Sequence, residues 1–225
     1  MSVPPALRVL VLPEDSGQWT DEAWPALIKK LTRLVDPECA TQRIGVDLVK
    51  GQVRTYLAGV DRWRNDRFKQ REIARTIANA LRVGDVVVLH VDADVTWSER
   101  HEGANARAVA ELRALVARGA KPPELDRLLV ALPHTAIESW LYLNRAAVEA
   151  IGDAAAIEWI AASRGAHGLD DAPSPKHRCA LGDRHNARLT HRFPLAEASE
   201  TSPSLGDWVT AARADEVRAK LAAAR

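Results

Sequence analysis

Cysteine is scarce in this chain. Of 225 residues only Cys39 and Cys179 are cysteines, far apart and in no spacing that a metal site uses. Such usage points to a reducing compartment and no disulfide. An excess of charge of either sign is also missing. The net charge is +1, so no global basic field demands nucleic acid and none excludes it. Long apolar runs are absent, and nothing approaches the ~20 residues a membrane-spanning helix needs. Arg8 and Pro13 break up the one short apolar run near the start, so no secretory leader is expected. There is no internal repeat and no low-complexity tract. Tyrosine is limited to Tyr56 and Tyr142. Both have ordinary packing or surface explanations, so DNA rejoining through a phosphotyrosine is not expected. The simplest expectation is a cytoplasmic protein with no membrane partner, long enough for one well-buried domain with additions or at most two small ones.

What the chain does contain is an alternation of apolar strands and amphipathic helices. "ALRVLVL" (6–12) reads as a strand. Residues 21–36 follow as a helix with Trp24, Leu27, Ile28, Leu31, Leu34 and Val35 at helical spacing, Asp21 as N-cap and Pro25 in the first turn. "RIGVDLV" (43–49) is a second strand. Residues 67–82 are a helix with Ile73, Ile77 and Leu81 on one face, and 86–92 is a third strand, apolar from Val86 to Leu89 and closed by the acids. A helix over 104–118, a strand over 127–132 and a helix beginning at 136–144 complete the pattern. This order predicts an α/β fold with a mainly parallel sheet. Residues 165–206 lack periodicity and read as loop-rich, and 207–224 read as a final helix. Trp24, Trp140, Trp159 and Trp208 fall in helical patterns and are expected in the core.

The third strand ends in "HVDADVT", which delivers Asp92 and Asp94. Glu14 and Asp15 follow the first strand, and Glu138 follows the fourth in "LLVALPHTAIESW". In open parallel sheets ligands bind beyond the carboxyl ends of the strands. Clustered carboxylates repel one another unless protonated or neutralised by cations, and such hard oxygen donors suit Mg²⁺ or Mn²⁺. Each acid alone has a plainer explanation. A lone D-x-D often lines a turn, and Glu138 would suit a helix N-terminus. Their shared position at strand ends is the stronger signal.

A glutamate after strand one, followed by an apolar strand ending in D-x-D, is similar to the Toprim domain of topoisomerases, DnaG-type primases and overcoming-lysogenization-defect nucleases. The segment "LPHTAIESWLYLN" looks like the "P…IExWL" segment of small Toprim-like proteins of prokaryotic defence loci. The resemblance covers roughly residues 6–145, with looser similarity around Lys176. It implies a Toprim-like catalytic domain over 1–150, with 151–225 as an extension packed on it. It also implies a nuclease or other phosphodiesterase using one or two Mg²⁺ or Mn²⁺. By the same resemblance Glu14 would be a metal ligand or general acid/base. Asp92 and Asp94 would be metal ligands, Glu138 the acid serving a second metal, and Lys176 in "SPKHR" a group stabilising charge at the phosphate. An ATPase or other protein partner is implied as well. Two positions depart from the pattern: Asp15 stands where a glycine is usual, and Gln18 where nucleases often carry an acid.

Nucleic acid would be met by "RWRNDRFKQR" (62–71), where Arg62, Arg64, Arg67, Lys69 and Arg71 interleave with Trp63 and Phe68. The plainer reading is a solvated helix face anchored by its two aromatics. A second basic stretch, 176–192, carries His177, His185 and His191 without paired metal spacing. His90 reads as a core histidine and His134 as a neighbour of the acids, while His101 and Glu102 could reach them from the following loop. "HVDADVT" also resembles the first motif of haloacid-dehalogenase-type phosphatases. There Asp92 would be the nucleophile and Asp94 the general acid, with Thr135, Lys176 and the pair Asp170–Asp171 offered as later motifs. That motif normally opens the fold, whereas residues 1–91 precede it here. A D-x-D nucleotide-sugar transferase leaves Glu14 and Glu138 unexplained, and a non-catalytic Toprim-like partner subunit is the remaining alternative.

Overall fold

The computed structural model describes residues 5–15, 17–51, 53, 65–93, 104–133, 136–154, 157, 158, 161 and 185–222. Its centre is a four-stranded, all-parallel sheet: β1 (Leu7–Leu12), β2 (Ile44–Leu48), β3 (Val86–His90) and β4 (Leu128–Ala131), in the order β2-β1-β3-β4. The fold is therefore α/β, as the alternation of periods predicts. β1 and β3 occupy the middle, and every residue of β3 and β4 is buried. That burial on both faces explains their unbroken apolar runs.

Helices cover both faces. α1 (Thr20–Val35) links β1 to β2 and lies on one face, packing Trp24, Leu27, Ile28 and Leu31 against Val9, Val11, Val86 and Val88. α2 (Arg67–Val83) precedes β3, and α3 (Ala104–Val116) lies between β3 and β4. Both lie on the opposite face, where Ile73, Ile77, Leu112 and Leu115 meet Leu10, Leu12, Val87 and Leu89. Successive strand residues thus feed opposite cores. β1 to β2 and β3 to β4 step in opposite directions across the sheet, so the right-handed crossover rule puts α1 and α3 on different faces.

α2 begins where Asp66 accepts the amides of Phe68 and Lys69, satisfying two orphan donors of the first turn. It stops at Gly84, where a Cβ would come within 2.9 Å of Leu10 Cγ, so only glycine fits the tight turn into β3. The Arg127 guanidinium donates to the carbonyls of Leu81, Gly84 and Asp85, tying the end of α2 to the start of β4.

α4 (Pro122–Leu125) is a short helix before β4, and the regular elements among the described residues beyond β4 are all helices: α5 (Ile137–Leu141), α6 (Arg145–Ile151), α7 (Asn186–Thr190), α8 (Leu195–Thr201), α9 (Pro203–Ala212) and α10 (Asp215–Ala222). This corrects the reading of 165–206 as loop-rich. From 185 onward the segment forms short helices whose few apolar residues, Leu189, Phe193, Leu195 and Ala198, are buried on the α1 face of the sheet. Each is too short to display a period. The single helix expected over 207–224 is two helices, since Arg213 and Ala214 form a turn. Ser202 caps α9 and Pro203 fills its first position. The N-cap of α1 is Trp19 rather than Asp21, which instead pairs with Lys50 at 2.8 Å. Pro25 is then the sixth helical residue, beyond the first turn.

Trp24, Trp140 and Trp208 are fully buried as expected. Trp208 stacks on Trp140 and meets Trp24 edge-on, so the C-terminal helices share one core with α1 and the sheet. Trp159 and Cys179 lie outside the described residues, and Cys39 is buried in the core on the α1 face. Among the described residues no helix is long and apolar enough to cross a membrane.

Candidate functional site

The strand order reverses between β1 and β3: from β1 the chain moves to one edge of the sheet, and from β3 to the other. Crevices form at the carboxyl ends of the two strands flanking such a reversal. The register there is Val11 opposite Val88 and Leu12 opposite Leu89. Continuing both strands by a few residues brings Glu14 alongside Asp92. The Asp92 amide donates to Glu14 Oε2 at 2.6 Å, although the two residues are 78 apart in sequence.

Asp92 is 1 % exposed. Its Oδ1 accepts the Ile137 amide at 2.9 Å and meets His90 Nε2 at 3.0 Å. The Ile137 amide is one of the orphan donors opening α5, so a carboxylate from β3 closes the helix that follows β4. His90 is fully buried, with its ring 5.1 Å from that of Trp24. Burial opposes its protonation. Asp92, by charge and hydrogen bond, and then Asp15 and Glu14 outweigh that and raise its pKa above the ordinary imidazole value. The expected core histidine is thus also what holds Asp92.

Glu138 enters from the first turn of α5 and is 4 % exposed. Asn186 Nδ2 of α7 donates to its Oε1 at 2.8 Å, while Oε2 has no hydrogen-bond partner among the described residues. Burial first, then repulsion from Asp92 and Asp15, push its pKa up to about 7, against the pull of Asn186 and of the backbone. At neutral pH this carboxyl is close to half protonated. A cation in the crevice would stabilise its charged form and give Oε2 a partner.

Glu14, Asp92 and Glu138 therefore come together from the exits of β1, β3 and β4, with Asp15 close enough to be felt electrostatically. Glu14 and Asp15 are partly exposed and Asp92 and Glu138 buried, so the cluster is open on the β1 side. The donors are all carboxylate oxygens, a set that fits Mg²⁺ or Mn²⁺ rather than a soft metal. No three metal-capable side chains among the described residues already stand in ligating geometry.

Asp94, Lys176, Arg62, Arg64, Trp63, His101, Glu102, His134, Thr135, His177 and the pair Asp170–Asp171 lie outside the described residues. Arg67, Lys69 and Arg71 stand on the first turns of α2. Phe68 beside them is 64 % exposed and does not anchor the helix to the core. His185 sits 3.6 Å from Asp153. Asn186 escaped the sequence reading, because "DRHNARL" carries no motif and its partner lies 48 residues earlier.

Comparisons of the chain with protein-family models, with curated proteins and with solved structures find no match.

Proposed function

We propose that this protein is a Toprim-like, Mg²⁺- or Mn²⁺-dependent phosphodiesterase acting on nucleic acid, in the cytoplasm and in a prokaryotic defence setting, working with an ATPase or other protein partner. The observation that carries the reading is the meeting of Glu14 and Asp92 at the strand-order reversal, with Glu138 beside them. Acids from three strand ends, two of them buried, are costly to keep together without a counter-charge.

In this reading Glu14, Asp92 and Glu138 hold the cation, with Asp94 adding to them by resemblance. When bound, the metal supplies charge neutralisation at the phosphate and activation of water. The chain's own work is positioning. His90 and the Ile137 amide fix Asp92 Oδ1, Asn186 fixes Glu138 Oε1, and the Asp92 amide fixes Glu14. By the resemblance Glu14, more exposed than Asp92 and Glu138, would serve either as a ligand of the cation or as the general acid/base. Lys176 is assigned to the phosphate by the resemblance alone. Asp92 suits the phosphatase alternative poorly, because a nucleophilic carboxylate must reach substrate and this one is enclosed.

The test is nicking of supercoiled plasmid and cleavage of single-stranded DNA and RNA with Mg²⁺ or Mn²⁺, for the wild type beside Glu14→Gln and Asp92→Asn. Metal-dependent cleavage lost in both variants supports the proposal. A covalent aspartyl-phosphate at Asp92, with indifference to Glu14, would replace it by the phosphatase reading. Absence of both cleavage and metal binding would make the acid cluster structural.

A further inference from the structure

The face of the sheet opposite α1 carries a second feature. Where α2 and α3 pack together they leave an open groove of about 670 Å³. Its floor is small, formed by Ala74, Ala78, Leu115 and Gly119. Its walls hold five arginines, Arg67, Arg71, Arg75, Arg82 and Arg118, and no acidic side chain. All five are exposed. In a chain of net charge +1 this is a local concentration of charge and not a reflection of composition.

The spacing is regular. Arg67, Arg71, Arg75 and Arg82 fall at i, i+4, i+8 and i+15 of α2, a row about 22 Å long at 1.5 Å per residue. Two of the side chains are steadied from the helix itself: Glu72 pairs with Arg75, and Arg82 donates to Asn79 Oδ1 at 2.9 Å. Arg118 faces the row from just beyond the end of α3. α2 leads through the short Gly84 turn into β3, so the two run in opposite directions. The Arg67 end of the row therefore lies toward the sheet edge where β3 delivers Asp92.

We propose that this groove seats the phosphate backbone of a nucleic-acid strand and leads it toward the acid cluster. Guanidinium groups match phosphate oxygens in bidentate geometry. A line of cations about 22 Å long fits a linear polyanion better than a single small anion. The concave shape favours a strand over a lipid surface, which would need a flat or convex face. The choice of nucleic acid among polyanions rests on the phosphodiesterase reading.

The experiment is fluorescence-anisotropy binding of a labelled 20-nucleotide single-stranded DNA, and of its RNA and duplex counterparts. It is done in chelator, so that cleavage plays no part, from 50 to 200 mM salt. The variants are the triple substitution Arg71→Ala, Arg75→Ala, Arg118→Ala and a control triple Arg145→Ala, Arg213→Ala, Arg218→Ala on exposed positions elsewhere. Circular dichroism confirms that each is folded. The groove triple is expected to lose at least tenfold in affinity. The slope of log K against log salt should fall by about 2, as loss of three phosphate contacts requires. The control triple should bind like the wild type. Equal binding by the groove and control triples overturns the proposal. So does a wild type that binds vesicles containing phosphatidylserine but no oligonucleotide. If the groove triple alone loses binding and no protein cleaves, the groove stands and the phosphodiesterase reading fails. If the wild type cleaves and the groove triple binds and cleaves equally well, the reverse holds.

Discussion

The backbone amide of Asp92 and the carboxylate of Glu14 meet at 2.6 Å across the point where the strand order of the sheet reverses. The bond joins a partly exposed acid to the peptide unit that carries a buried one. Glu14 is therefore held in part by backbone, through an oxygen that a glutamine carbonyl could replace.

Glu14→Gln tests that division of labour. The glutamine carbonyl can still accept the Asp92 amide, so the melting temperature should change by only a few degrees. Metal-dependent cleavage should fall by at least a hundredfold, within the range associated with loss of a positioned acid–base group. A large fall in melting temperature would mean that Glu14 is structural.

Glu138 makes stability depend on pH. Its pKa is about 7 in the folded chain, against 4.5 for the ordinary group. Below 4.5 both states are protonated and the group contributes nothing. Between 4.5 and 7 the unfolded chain releases the proton while the folded chain keeps it, so stability falls as pH rises. His90 acts in the same direction. Its folded pKa is raised, so its contribution is present below 6.5 and lost as pH climbs through the folded value. Urea unfolding in chelator should show Glu138→Gln losing on the order of 2 kcal/mol less than the wild type between pH 5 and 7.5. Equal losses would mean that Glu138 titrates normally.

Divalent metal should reverse that loss. At pH 7.5, Mg²⁺ at a hundredfold excess over its dissociation constant should stabilise the wild type by about 2.7 kcal/mol. Asp92→Asn should respond far less, because its carboxylate charge is gone. Calorimetric melting with and without metal is the measurement, and identical responses would remove Asp92 from the site.

Asn186→Ala removes the donor to Glu138 Oε1 and leaves a buried carboxyl oxygen without it, which costs about 1–3 kcal/mol. Chemical denaturation of the variant should show this loss. A change below about 0.5 kcal/mol would fit an ordinary surface position and would mean that the contact is not made in solution.

Trp24→Ala should cost about 3–5 kcal/mol as a large-to-small core change. It also removes the ring against His90, so cleavage should fall even where the variant remains folded. Full activity in folded Trp24→Ala would separate His90 from the site.

The four strands and the helices up to α3 were legible because local period follows burial. β3 and β4 are buried on both faces and read as continuous apolar runs. α1 and α2 are buried on one face and read at 3.6-residue spacing. Glu14, Asp92 and Glu138 could be picked out because each stands just past a strand end, and all three are found at one edge. The helices α7 and α8 were not legible. Five and seven residues long, they turn too few times to show a period and are held by contact with α1 and the sheet.

Sequence by itself determined which segments are strands and which acids leave them, because both follow from nearest neighbours along the chain. Tertiary structure alone decided the order β2-β1-β3-β4, and with it that Glu14 faces Asp92. It also decided that Asn186 reaches Glu138, and that arginines from α2 and the turn after α3 line one groove. Strand order and helix pairing depend on how buried faces are shared among distant segments, and no local pattern encodes that choice.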